Sequence, residues 1–145
     1  MQRFDPIDPG FESRVRHGFS LQRLMATIGA QMTVVAPGEV RIELPFNPAW
    51  TQQHSYMHAG VITSIVDSAC GFAAYTLMPA TSGVLTAEYK VNFLSPAKGE
   101  IFIAVGKVVK PGRTLTVCNG EVMAVEGGEQ KIVAVMQATM MAVPL

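Results

Sequence analysis

Residues 54–78, HSYMHAGVITSIVDSACGFAAYTLM, form an apolar run of small residues with one carboxylate, Asp67, at its centre. Val61, Ile62, Ile65, Val66, Ala69, Phe72 and Ala73 spread around a helical wheel and leave no polar face. The spacing therefore predicts a buried central helix over 58–78. Residues 61–80 are about as long as a bilayer is thick, but Asp67, Thr63, Ser64, Ser68, Gly71 and Pro79 make spanning costlier than burial in protein. An ionised carboxylate inside such a helix costs several kcal/mol unless it finds a partner. No Lys or Arg lies three or four positions away; Thr63, Ser64, Cys70 and Gly71 do. The acid thus sits on a stripe of small side chains that leaves room for a ligand, or else it fixes register in a polar subunit interface.

Outward from the helix, the chain divides into two kinds of sequence. Before it, FESRVRHGFSLQRLMATIG places Phe11, Val15, Leu21, Leu24, Met25 and Ile28 at helical spacings with Gly29 as a stop, which predicts an N-terminal helical region within residues 1–30 that packs outside the core. QMTVVAPGEVRIELPF follows, two runs of β-formers separated by Pro37 and Gly38, the pattern of a hairpin. NPAWTQQHSYM has no period and reads as a loop delivering the chain to the helix. After Pro79 come VLTAEYKVNFL, EIFIAVGKVVK, RTLTVCNGEVMAV and QKIVAVMQATMMAV, four β-rich runs expected to join mostly as hairpins. Helix, two strands, long helix and four strands make an α+β domain over 1–145, a curved six-stranded antiparallel sheet wrapped around one helix.

The chain has 145 residues, 49% of them hydrophobic and 15% charged, with eleven basic residues balancing eleven acidic ones. The mean hydropathy of +0.29 points to surface buried between subunits. Scattered Lys and Arg lack the footprint needed to hold a nucleic-acid backbone, and no membrane partner is expected. Cys70 and Cys118 lie in apolar segments, as reduced core thiols do in a cytoplasmic protein. MQRFDPIDPG lacks the basic, then apolar, then small-residue order of a secretion signal.

The chemistry follows from the helix entrance. His58 precedes Ala59 and Gly60, so side-chain bulk is least where the first backbone amides lack acceptors and the helix dipole is positive, an end that attracts a developing oxyanion. Asp67, two turns further, is placed to attack a carbonyl held there or to activate a water.

His58-Ala59-Gly60, six residues, then Asp67 and a small residue, followed by KVNFLSPAKGE and PGRTLTV, resembles the hotdog-fold thioesterases, nearest the PaaI-like acyl-CoA thioesterases of the phenylacetate-pathway type. The resemblance runs from about the first strand to the C-terminus. It implies homodimers with shared active sites, commonly homotetramers, and hydrolysis of an acyl-CoA to free acid and coenzyme A. Asp67 maps onto the family's general base or nucleophile, and Ala59, in place of a glycine, and Gly60 onto the amides that polarise the carbonyl. An upstream Asn or Gln falls at Gln52 or Gln53, with Gln53 preferred, to orient the water or acyl group. Thr86 matches a Ser or Thr that reaches the acid from the partner subunit. Lys90, Lys98, Lys110 and Arg113 are candidates for the coenzyme A phosphates.

Other readings stay open at this stage. His54 and His58 form H-x-x-x-H, with Asp67 imaginable as a third metal ligand, yet the segment precedes the helix and lacks the Glu of hydrolytic zinc motifs. Cys70 has no local cation to lower its pKa and reads as core. A non-catalytic acyl-CoA binder and a hotdog dehydratase or hydratase are the alternative functions. No cofactor and no metal is expected for any of the three.

Overall fold

A helix of seventeen residues, Ala59–Tyr75, lies in the hollow of an antiparallel sheet whose strands come from both sides of it in sequence. The structure is a computed structural model describing residues 2–145. In chain order the elements are helices α1 (Phe11–Ser20) and α2 (Arg23–Ile28), strands β1 (Gln31–Ala36) and β2 (Glu39–Pro45), and the central helix α3 (Ala59–Tyr75). Strands β3 (Ser82–Phe93), β4 (Ile101–Lys110), β5 (Leu115–Glu126) and β6 (Glu129–Pro144) complete the chain. The sheet order is β1-β2-β4-β5-β6-β3, and its six antiparallel strands around one helix are the hotdog architecture expected from the sequence.

Among the last four strands, one connection departs from a simple run of hairpins. β4, β5 and β6 are joined as neighbours, and Gly127 and Gly128, at φ of 57° and 80°, form the two-residue turn between Glu126 and Glu129. The link through residues 94–100 does something else. It carries the chain from β3 on one edge across to β4, because β3 pairs with β6 and β4 pairs with β2.

Ile62, Ile65, Val66, Ala69, Cys70 and Ala73 on α3 are fully buried against the sheet. The helix can sit this close because glycines face it. A Cβ on Gly106 of β4 would collide with the backbone carbonyl of Ala69, and one on Gly120 of β5 would lie 2.6 Å from Val66 Cγ2 and 2.7 Å from Cys70 Sγ. Large side chains buried here contribute roughly 1.5–3 kcal/mol each.

The helix is not apolar on every side, as its composition suggests. Gly60, Ser64, Asp67 and Gly71 form a stripe that the sheet leaves partly uncovered. The N-terminal region also differs from expectation. It is two short helices, ended by Gly29 at φ 82°, and Val15, Met25 and Ile28 belong to the core rather than lying outside it. Arg14 anchors them. Its Nη2 donates to the carbonyls of Met78 (2.8 Å) and Tyr75 (3.2 Å), its Nε pairs with Asp8 at 2.9 Å, and its guanidinium lies 4.2 Å from the centre of the Tyr75 ring. A cation closing the C-terminal end of a helix is favourable. Phe19 meets the edge of Phe72 at 6.0 Å, and Gln22 at the α1–α2 junction lines one cavity with Asp67 and Gly71 of the stripe.

Candidate active site

The loop before α3 is built to shape the helix entrance. Gln52 Oε1 accepts the amides of His54 and Tyr56, Met57 N–H donates to Ala97 O at 3.0 Å, and His58 N–H donates to Trp50 O at 2.9 Å. Between them Ser55 takes φ 66°, a left-handed conformation that a non-glycine residue adopts at some cost. His58 is the N-cap, and its Nδ1 accepts the Gly60 amide at 2.8 Å while its carbonyl accepts Val61 and Ile62. Ala59 is therefore the one residue of the first turn whose N–H has no acceptor among the described residues. Gly60, expected to share in polarising a carbonyl, instead spends its amide on the cap. The free N–H opens on a mostly apolar cavity of about 330 Å³ lined by Gln52, His54, Tyr56, Ala59, Ile62 and Phe93 among others.

Of the two candidate glutamines, Gln52 lines this cavity and Gln53 is exposed and makes no hydrogen bond among the described residues. His58, with Nδ1 committed to the cap, has only Nε2 left for any other partner. Among the described residues no three His, Cys, Asp or Glu side chains gather as a metal site. Burial pushes the Cys118 thiol up to about 12 and the Cys70 thiol higher still, with the neighbouring Cys118 and Asp67 adding to the effect on Cys70. Neither is a nucleophile.

Asp67 lies elsewhere along α3. Its Oδ1 accepts the Thr86 hydroxyl at 2.8 Å. The contact is made within one chain, so Thr86 does not need to come from a partner to reach the acid. A bulge in β3 between Thr86 and Glu88 breaks the strand's alternation beside this contact, a common device for re-aiming a side chain near a site. Burial raises the Asp67 carboxyl above the ordinary aspartate value, and the Thr86 hydrogen bond pulls it part of the way back. The acid opens on a second, smaller cavity of about 70 Å³, lined by Gln22, Asp67, Ser68, Gly71, Phe72, Val84 and Thr86.

Two halves of a site are thus present, in two cavities. Asp67 is seven residues beyond Gly60, about 10 Å along the axis at 1.5 Å per residue, and neither cavity contains residues of the other. The expectation that the acid sits beside the carbonyl held by the entrance of its own helix fails on this rise. The basic candidates also scatter. Lys98 follows Ala97 at the rim of the larger cavity, 3.9 Å from Glu126. Lys90 lines a hollow between β3, β5 and β6 that contains neither Asp67 nor Ala59. Lys110 and Arg113 belong to the opposite end of the sheet, where Val108 N–H meets Gly38 O and Gly38 N–H meets Thr76 Oγ1 beyond the C-terminal end of α3.

The model of the thioesterase superfamily matches residues 54–131, which run from the loop before α3 into β6. The chain belongs to the thioesterase superfamily. A thioesterase family protein from Silicibacter pomeroyi is 47% identical, with a TM-score of 0.92 over 94% of this chain and all of that one. A Saccharolobus solfataricus protein named as an esterase is 33% identical over 105 residues, 72% of this chain and 69% of its own. The Escherichia coli PaaI protein from the phenylacetic acid degradation operon shares the fold at a TM-score of 0.83, with 16% identity.

As a member of the thioesterase superfamily, the protein is an enzyme of the thioester-hydrolase class, and the residues of its two cavities acquire a chemical context. Two that line the smaller one, Gln22 and Ser68, carry no motif. Ser68 Oγ donates to Gln22 Oε1 at 2.9 Å across 46 positions of sequence, and only the packing of α1 and α2 on α3 brings them together. The one sequence signal was proximity, since Ser68 is the small residue that follows the acid.

Proposed function

We propose that the protein hydrolyses acyl-CoA thioesters to free acid and coenzyme A, at sites each assembled from two copies of the chain. The observation that carries this reading is the pair of half-sites on one helix: an N–H without an acceptor over an apolar cavity, and a partly buried acid with raised proton affinity over a polar one.

Among the described residues β3 is an edge strand paired only with β6, and it exposes Leu85, Tyr89 and Phe93. An unpaired edge of this length and apolarity invites a second strand. Antiparallel self-pairing about a two-fold axis through position 90, with the bulge before Glu88 adding one residue, sets position 86 of one copy opposite position 93 of the other. Thr86 holds Asp67 and Phe93 lines the cavity of Ala59. Pairing in this register brings the acid of each copy to the helix entrance of its partner, because it sets side by side positions 86 and 93, which one chain alone holds about 23 Å apart along β3 at 3.3 Å per residue. Dimers pairing further into a homotetramer would cover more of the exposed apolar surface, Leu21 and Leu24 included.

In that site the Ala59 N–H polarises the thioester carbonyl, the acyl group lies in the cavity of Ile62 and Phe93, and Gln52 borders the carbonyl. Asp67, ionised, takes a proton from water as its oxygen bonds the carbonyl carbon. The carbon–sulfur bond then breaks with its electron pair leaving on sulfur. A thiolate leaves without a strong general acid, so His58 need only cap the helix. This employment of His58 argues against a dehydratase, which needs the imidazole at the reacting carbon. Lys98, at the cavity rim, is the basic residue assigned to the coenzyme A phosphates, and the two reduced thiols fit a cytoplasmic setting. The test is release of free thiol from a panel of aryl and straight-chain acyl-CoAs. Turnover is expected with at least one; acyl-CoA binding without thiol release across the panel would leave a binding module instead.

A further inference from the structure

The smaller cavity contains a polar group that the mechanism above does not use. Gln22 is the N-cap residue of α2, yet its side chain does not cap that helix. Instead its Oε1 accepts the hydroxyl of Ser68, which is 8% exposed and adjacent to Asp67 on α3. With the oxygen so held, the carboxamide NH2 donates to nothing among the described residues, and Asp67 Oδ2 accepts from nothing, Oδ1 being taken by Thr86. Both groups line the same cavity of about 70 Å³, which has room for water and is small enough for one molecule to touch both. Asp67 is the one ionisable side chain among its lining residues.

We infer that Gln22 is a positioning residue for the hydrolytic water. Ser68 fixes the carboxamide, and its NH2 donates to the oxygen of a water whose proton is directed at Asp67, leaving a lone pair of that oxygen toward the thioester carbon. The inference rests on the reading of Asp67 as the base. It also gives the N-terminal helices a task beyond packing: Arg14 and Phe19 hold the α1–α2 junction against α3, and the junction delivers one donor to the acid's cavity.

The experiment compares Gln22→Ala, Gln22→Glu, Ser68→Ala and Asp67→Asn in thiol release from the best acyl-CoA of the panel, with kcat, KM, the pH profile and Tm for each. A positioning role predicts that Gln22→Ala lowers kcat about tenfold with KM and Tm near wild type, and that Ser68→Ala loses less. Gln22→Glu keeps the acceptor for Ser68 but sets a second carboxylate beside Asp67, so the acidic limb of kcat moves to higher pH. If Gln22→Ala lowers Tm while kcat per folded enzyme holds, and Gln22→Glu has the wild-type profile, Gln22 is only a tether and the inference falls while the role of Asp67 stands. If Asp67→Asn retains wild-type turnover, the reading of the site and the inference fall together.

Discussion

The central helix has two faces made of similarly small residues, and only one of them is closed. Toward β4 and β5, Val66, Ala69 and Cys70 meet Gly106 and Gly120 so closely that neither glycine has room for a methyl group. Toward α2 and β3, Asp67, Ser68 and Gly71 meet nothing so tight, and a cavity remains. Small side chains on a helix therefore carry no single meaning. What decides is the partner: a strand glycine converts smallness into close packing, whereas a polar junction such as that of Gln22 and Thr86 converts it into space for a ligand. The closed face supplies stability, and the open one gives some up to keep a carboxylate where burial disfavours its charge.

This contrast can be broken at five points. The largest effect belongs to the open face. Asp67→Asn keeps the shape and removes the base, and thiol release is expected to fall about 10²–10⁴-fold, with wild-type rates contradicting the assignment. Next comes the closed face. Gly106→Ala drives a methyl into the backbone of Ala69, and a denaturant titration should show a loss of about 3 kcal/mol; a neutral result would mean the helix is not so tightly seated. Thr86→Val removes the hydrogen bond that favours the ionised acid, so the Asp67 pKa rises further, the acidic limb of kcat/KM moves to higher pH, and the rate at pH 7 drops roughly tenfold. An unmoved limb would detach Thr86 from the acid. His58→Ala removes the cap on the Gly60 amide and is expected to cost about 1 kcal/mol in stability with kcat largely kept; a collapse of kcat would give the imidazole a chemical role.

The smallest effect is the most specific to the contrast. An acid whose folded-state pKa is raised holds its proton more firmly in the folded chain than in the unfolded one. Its presence favours the fold below the ordinary aspartate value and loses that advantage as pH rises through the folded-state pKa. At neutral pH Asp67→Asn should therefore raise Tm, by about 1–3 °C, and the gain should vanish in acid. A lower Tm at pH 7 would mean that Asp67 is held by partners that stabilise it.

Much of the closed face was legible in the sequence. The apolar run marked the helix to within a few residues, Pro37 and Gly38 marked the first hairpin, Gly29 marked the end of the N-terminal helices, and the β-rich runs gave the remaining strands. The crossover from β3 to β4 was not legible, since alternation within a strand does not say which strand lies beside it. The site was legible only in part. Asp67 stood out because a carboxylate in an apolar helix needs an explanation, and Thr86 followed from the resemblance to hotdog thioesterases, though not its contact within one chain. Gln22 did not stand out, because a polar residue between two short helices is ordinary until Ser68 is found against it. Gly60 was misread because spacing gives no sign that the imidazole before it turns back to take its amide.

The shared site is the account's central claim, and complementation tests it most directly. Ala59 is the first residue of α3, a position that accepts proline, and His58 already has the extended backbone, φ −59° and ψ 135°, that a following proline requires. Ala59→Pro thus removes the free N–H while sparing the helix, and Asp67→Asn removes the base. Each variant alone should be nearly inactive. Unfolded and refolded together they form mixed dimers in which one site joins an intact entrance to an intact acid, and thiol release should return to about a quarter of the wild-type rate, since half the dimers are mixed and each has one working site of two. No recovery, with mixed dimers shown to be present, would mean that entrance and acid act within a single chain, and would contradict the account.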